Sequence, residues 1–167
     1  MESSALARFE ALVLPHLDAA YTLARYLTRN AQDAEDIVQD ACLRALKYLE
    51  GFRGEEATSA RAWLLTIVRN TAHSWRKRHR PDALAVEFDE MEHSDAVVHD
   101  PEAKETLGRA LDRLAPEFRE VVVLRELQGL SYKEISDVTG VPIGTVMSRL
   151  SRARARLQEA LREEEVR

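Results

Sequence analysis

Residues 61–80 hold Arg61, Arg69, Arg76, Lys77, Arg78 and Arg80, together with Trp63, Trp75 and Asn70, and contain no acid. Aromatic rings offer unstacked bases a platform, and long cationic side chains follow a phosphate backbone, so this composition suits single-stranded nucleic acid. The residues placed for that chemistry are Trp63, Arg69, Asn70, Arg76, Lys77 and Arg78. A helix with two core tryptophans and a solvated basic end has the same composition, and the residues alone do not separate the two readings.

A second basic segment has more internal organisation. Ser131-Tyr132-Lys133-Glu134 is a capping box that starts a short helix. Thr139-Gly140-Val141 is a turn, and Pro142 opens a long helix reaching into Arg162. Together they make a helix-turn-helix over residues 131–157. Ile135 and Val138 face Val141, Val146 and Leu150 across the turn, and Leu157 and Leu161 continue the stripe. The other side of the second helix carries Thr145, Met147, Ser148, Arg149, Ser151, Arg152 and Arg156. Hydroxyl and guanidinium groups near the start of a recognition helix reach base edges and phosphates in the major groove. The pattern favours duplex DNA over a helical hairpin with a solvated arginine face. Arg149 and Arg152 lie three residues apart and are expected to share a side, with Arg152 on bases and Arg149 on phosphate.

The third segment runs from Asp33 to about Leu49. Ile37, Val38, Ala41, Ala45 and Leu49 form its inner stripe. Another face carries Asp36, Gln39, Asp40, Leu43, Arg44 and Lys47, a polar surface with one apolar residue that could dock a partner helix. By pattern alone a solvated face is the better account.

No segment offers catalysis. His73/His79 and His93/His99 are spaced by six, which does not place two ligands on one helix face, and no Cys and carboxylate set completes a metal site. Cys42 lies near the buried stripe and reads as core. There is no glycine-rich phosphate loop and no G-x-S-x-G motif. The chain is expected to be a non-enzyme with no metal and no cofactor.

Helices are the elements that must position these groups. Apolar residues make up 45% of the 167 and charged residues 32%, while Gly and Pro number only 6 and 5, which suits amphipathic helices with true cores. Over residues 5–28, Leu6, Phe9, Leu12, Val13, Leu17, Tyr21, Leu23 and Leu27 recur at helical spacing. Pro15 interrupts them and marks a kink or a new start. Asp33 reads as the N-cap of the third segment, Gly51 ends that helix, and 51–60 read as a loop. The next helix spans about Ser59 to Arg78, with Trp63, Leu64, Ile67, Val68 and Ala72 as its buried stripe. Residues 81–105 are acidic and aperiodic, with Asp82, Glu87, Asp89, Glu90, Glu92, Asp95, Asp100, Glu102 and Glu105, and read as a linker. Beyond it, Leu107, Leu111 and Leu114 mark one helix and Phe118 to Leu127 the next. The expected fold is all-α: a domain over 1–80, an acidic linker over 81–105, and a domain over 106–167 that contains the helix-turn-helix. The net charge of −5 argues against DNA coating by bulk charge and leaves room for a local basic surface. A polar start, a single cysteine and the lack of a long apolar run lead us to expect a cytoplasmic protein without membrane insertion.

Four stretches carry a family resemblance over nearly the whole chain. They are Asp33-Ala34-Glu35-Asp36-Ile37-Val38-Gln39-Asp40, Ala62-Trp63-Leu64 through Asn70-Thr71-Ala72, Leu114-Ala115-Pro116-Glu117-Phe118-Arg119-Glu120-Val121, and Tyr132-Lys133-Glu134-Ile135 through Gly144-Thr145-Val146-Met147-Ser148-Arg149-Leu150. In this order and spacing they resemble the extracytoplasmic-function (ECF) group of bacterial sigma factors. The resemblance implies a transcription initiation factor that binds RNA polymerase core and directs it to promoters. It implies that Asp36, Gln39, Asp40, Leu43 and Arg44 dock the coiled coil of the largest polymerase subunit, reversing the preference for a solvated face. It implies that the C-terminal domain meets the flap of the second-largest subunit. Residues 51–78 would melt the minus-ten element, with Asn70 on the non-template strand and Trp63 at the melting fork. The linker would thread near the active cleft and RNA exit path, and the helix-turn-helix would hold the minus-thirty-five duplex. An anti-sigma factor is the further expected partner, wedged between the domains or wrapped around them. Met147 and Ser151 depart from relatives that carry a basic and an aromatic recognition residue there, so the base sequence read is not carried over.

Two other functions share parts of this pattern. A sigma-mimicking adaptor would have the same fold, titrate an anti-sigma factor and bind no DNA. Such a mimic should lose basic residues from its DNA faces, whereas Arg76, Lys77, Arg78, Arg149, Arg152 and Arg156 are present. A repressor or activator using only the helix-turn-helix would leave residues 33–80 unexplained.

Overall fold

The structure is a computed structural model and describes residues 2–53, 57–79 and 101–166. The acidic stretch read as a linker falls largely outside the described residues, as do His93 and His99. Its end does not. Helix α5 (Pro101–Asp112) begins inside the span expected to be linker, with Pro101 at its first position, where a missing N–H costs no intrahelical bond. No strand occurs among the described residues.

The N-terminal half contains α1 (Glu2–Val13), α2 (Leu17–Thr28), α3 (Ala31–Tyr48) and α4 (Ala57–His79). Pro15 acts as expected: it sits in a single 3-10 turn, Leu14–His16, that separates α1 from α2. Helix α2 ends on Arg29 in the left-handed region, φ 60°, whose N–H returns to the Arg25 carbonyl at 2.8 Å. The expected cap of α3 needs correction. Asn30, not Asp33, is the N-cap: its backbone is extended, and its side-chain oxygen accepts the Asp33 N–H at 2.9 Å. Asp33 lies three residues in, where a carboxylate suits the positive end of the helix dipole. Ile37, Ala41 and Ala45 of α3 are fully buried against Leu23 and Ala24 of α2 and Leu64, Leu65, Val68 and Ala72 of α4. Helix α4 starts two residues before the expected Ser59.

The C-terminal half contains α5, α6 (Pro116–Val122), α7 (Tyr132–Thr139) and α8 (Ile143–Glu165). The helix expected from Phe118 to Leu127 is in fact α6 followed by a π turn, Val123–Leu127, closed by Gln128 N–H on the Val123 carbonyl at 3.0 Å. The wider turn brings the buried Gln128 side chain to the Ala19 carbonyl of the other half, at 3.4 Å. The capping box on α7 is complete: Glu134 N–H donates to Ser131 at 3.1 Å, and Ser131 N–H to Glu134 at 2.9 Å. Gly140 takes φ 76° at the turn, a conformation glycine adopts without a Cβ penalty. Helix α8 continues past Arg162 to Glu165, where Arg109 of α5 pairs with Glu164 at 2.9 Å and Arg113 with Glu163.

The halves pack on each other through α2 against α6 and α4 against α7, and their buried residues form one cluster. Arg119 of α6, only 4% exposed, ties the junction. It donates to the carbonyls of Leu111 (3.0 Å), Leu114 (2.8 Å) and Asp112 (3.2 Å) in its own half, and of Tyr26 (3.4 Å) in the other. Arg29 reaches Asp112 across the same junction at 3.3 Å.

Candidate nucleic-acid and partner interfaces

Helix α3 turns its buried stripe inward and therefore presents Asp36, Gln39 and Leu43 to solvent, with Asp40 and Arg44 half-buried beside them. These residues do share a face. Asp40 and Arg44 pair at 3.4 Å, one turn apart. Leu43 is 68% exposed, and Leu46 and Tyr48 are exposed with it. Sequence reading missed those two. The signal was available for Leu46, which lies opposite the stripe formed by Ile37, Ala41 and Ala45, but not for Tyr48, which falls in register with that stripe at the last residue of α3.

Helix α4 divides its expected residues. Asn70, Lys77 and Arg78 are exposed, whereas Arg69 and Arg76 are half-buried. Asn70 points to solvent because Leu64, Leu65, Val68 and Ala72 already occupy the buried side. Trp63 is half-buried, and its ring stacks on Phe52 at 4.6 Å. Trp75 stacks on His79 at 4.3 Å. Arg76 donates to the Leu27 carbonyl at 3.4 Å.

Arg69 turns toward the C-terminal half and forms an ion pair with Glu120 of α6, its second nitrogen lying 3.5 Å from the other carboxylate oxygen. The Glu120 side chain is 5% exposed. Burial raises its pKa, Arg69 and Arg149 pull it back down, and Glu117 adds a small upward push. Desolvation lowers the pKa of His73, with Arg69, Arg76 and Lys77 adding to the effect. These groups and Arg149 line a cleft of about 460 Å³ between the halves. Burial also brings Arg119 down to about 10, chiefly by desolvation and then by Arg29, which leaves it cationic at neutral pH.

Helix α8 exposes Met147, Ser148, Ser151, Arg152 and Arg156. Thr145 and Arg149 are half-buried. Arg149 and Arg152 sit on neighbouring rows of α8 but differ in exposure: Arg149 lines the cleft with Glu120, whereas Arg152 faces solvent. Three residues turn a helix through about 300°, so the two are offset by about 60°, and the cleft wall falls between them. The Arg156 guanidinium lies over the Phe118 ring at 4.7 Å. Cys42 is half-buried, and burial raises its thiol pKa. Among the described residues, no group of His, Cys, Asp and Glu could hold a metal ion, and no helix is long and apolar enough to cross a membrane.

Comparison with known proteins matches both halves. The family model for Sigma-70 region 2 covers residues 12–81, and that for Sigma-70 region 4 covers residues 104–157. The chain is similar to the ECF RNA polymerase sigma factor SigE of Mycolicibacterium smegmatis, with 35% identity over 167 residues. That alignment covers 96% of this chain and 64% of the relative, so the chain spans less than two thirds of that relative's length. The RNA polymerase sigma-H factor of Pseudomonas aeruginosa is 34% identical, with 92% of this chain and 86% of the relative covered. Among solved structures, the sigma factor RpoE of Bartonella quintana, in complex with the anti-sigma factor NepR, superposes with a TM-score of 0.79 at 34% identity. That match covers 92% of this chain and 96% of the other.

Proposed function

Because this chain belongs to the extracytoplasmic-function (ECF) sigma factors of RNA polymerase, we propose that it assigns three separate helix faces to three tasks. The α3 face of Asp36, Gln39, Asp40, Leu43 and Arg44 docks the coiled coil of the largest core subunit. The α4 face of Trp63, Asn70, Lys77 and Arg78, joined by Arg69 and Arg76, holds the non-template strand of the minus-ten element. The α8 face binds the minus-thirty-five duplex, and its domain meets the flap of the second-largest subunit. An anti-sigma factor blocks the protein by occupying faces of both domains.

The observation that carries this reading is the exposure of Asn70 on the acid-free helix α4, whose buried apolar side chains Leu64, Leu65, Val68 and Ala72 lie on the opposite side. A polar amide that the core does not use is free to contact a splayed strand. Run-off transcription with purified core polymerase on host promoter fragments tests the whole reading. A sigma factor yields discrete transcripts that require both components. A sigma-mimicking adaptor yields none, and a helix-turn-helix regulator acts only when another sigma factor is present. Asn70→Ala is expected to reduce permanganate reactivity of bubble thymines more than closed-complex binding. Gln39→Ala with Asp40→Ala is expected to weaken core binding in a pull-down with an unchanged circular dichroism spectrum, since surface changes of this kind shift stability by only about 0.5 kcal/mol.

A further inference from the structure

The start of α8 departs from the rest of that helix. Its other large apolar side chains, Val146, Leu150, Leu157 and Leu161, are buried or half-buried. Ile143 and Met147 are 44% and 51% exposed, one turn apart, in a row that continues to the exposed Ser151. The adjacent row is Gly144, Ser148 and Arg152, the last two among the residues expected to face DNA. Gly144 has an ordinary helical φ, and a Cβ built on it meets nothing within 4 Å. Neither backbone strain nor packing within the chain therefore calls for a glycine there, although glycine lowers helix stability relative to alanine. The missing side chain leaves room on the outside of the helix, beside Met147.

The charge pattern identifies what lies outside. From Ile143 to Gln158 the helix carries Arg149, Arg152, Arg154 and Arg156 and no acid, so the apolar row borders a surface suited to a polyanion. In the major groove, thymine alone among the bases presents an apolar group, its 5-methyl. A methionine offers no strong hydrogen bond to a base edge, and against guanine or cytosine it would leave polar groups desolvated.

We propose that Met147, seated beside Ile143 and given close approach by Gly144, reads the 5-methyl group of a thymine in the duplex element bound by α8. This inference rests on the DNA-binding reading of α8 and adds to it the base feature recognised.

The test uses holoenzyme reconstituted from the full chain and core polymerase. Selection from randomised duplex DNA defines the upstream element, and each of its thymines is then replaced by deoxyuridine, which removes the methyl and keeps every hydrogen-bonding group. Binding should weaken about fourfold at one position, the effect expected for one buried methyl-sized group, and should be unaffected elsewhere in the element. Met147→Ala should abolish that penalty while Met147→Leu retains it. Both variants should fold normally, because Met147 is exposed. An upstream element whose thymines all tolerate uracil overturns the inference and leaves the DNA-binding reading of α8 intact. If no upstream element is selected at all, both fail together. A uracil penalty that persists in Met147→Ala also overturns the inference, since another residue would then be reading the methyl.

Discussion

Helices α4 and α8 are each 23 residues long and rich in arginine, yet the fold treats their cations differently. On α4, Arg69 is paired with the buried Glu120 and Arg76 with a backbone carbonyl. On α8, Ser148, Ser151 and Arg152 face solvent, whereas Arg149 turns inward, toward the same Glu120. A phosphate that reaches Arg69 must displace a carboxylate, whereas one that reaches Arg152 displaces water. One acid thus stands between the inward cations of both helices. Residue type and helix periodicity are shared by the two; the domain junction makes the difference.

The inward arginines keep their partners only while that junction stays closed, and the largest effect comes from removing its tie. Arg119→Ala removes one donor from each of four carbonyl oxygens in a buried setting, of which that of Leu111 also accepts the Leu114 N–H at 3.1 Å. A buried polar group without a partner costs roughly 1–3 kcal/mol, and water can re-enter part of the site, so a net loss on the order of 3 kcal/mol is expected. It should appear as a lower urea midpoint. A midpoint unchanged from the parent would mean that the junction is not held this way.

The next effect separates the arginines of α8. Arg152→Ala should cost about 1–3 kcal/mol in binding to a minus-thirty-five duplex and relax preference at one base position. Arg149→Ala should weaken all sequences alike and lower the salt slope by about one. Competition binding across single-base variants at several salt concentrations distinguishes them. The reverse assignment would break the contrast drawn here between an outward and an inward arginine.

The features legible in the sequence were local ones. Pro15, the Ser131–Glu134 box and Gly140 each act through their own backbone, so residue type and spacing sufficed to place the breaks and the helix-turn-helix. The division into two helical domains followed from the same punctuation. Asn30 was missed as a cap because Asn30 and Asp33 are both good cap residues, and only backbone geometry distinguishes them. The Arg29–Asp112 and Arg69–Glu120 pairs join residues far apart in sequence and leave no periodic trace. For the same reason Arg149 and Arg152 looked equivalent: helical spacing gives their angular offset, but not the position of the other domain's wall. Trp63 could not be assigned to core or surface from its spacing, because it is only half-buried, with its ring stacked on Phe52.

The smallest effect comes from titrating Glu120, the acid between the two helices. Burial holds the Glu120 pKa above its ordinary value of 4.5 despite the opposing pull of Arg69 and Arg149. Between 4.5 and the raised value, the folded chain keeps a proton that the unfolded chain releases. The unfolded state then binds fewer protons, so this group's contribution to stability falls as pH rises through the window and recovers as pH falls back toward 4.5. Most carboxylates paired in a fold contribute in the opposite direction. Glu120→Gln should remove this component from the pH profile of the urea midpoint. Arg69→Ala deletes the main force opposing the rise, so it should move the upper end of the window to higher pH. Carboxyl carbon chemical shifts followed by NMR report the same titration at the residue itself. A Glu120 that titrates below its ordinary value, or a pH profile identical in Glu120→Gln and parent, would show that the Arg69 pair outweighs burial and that the inward arginines are held more firmly than described here.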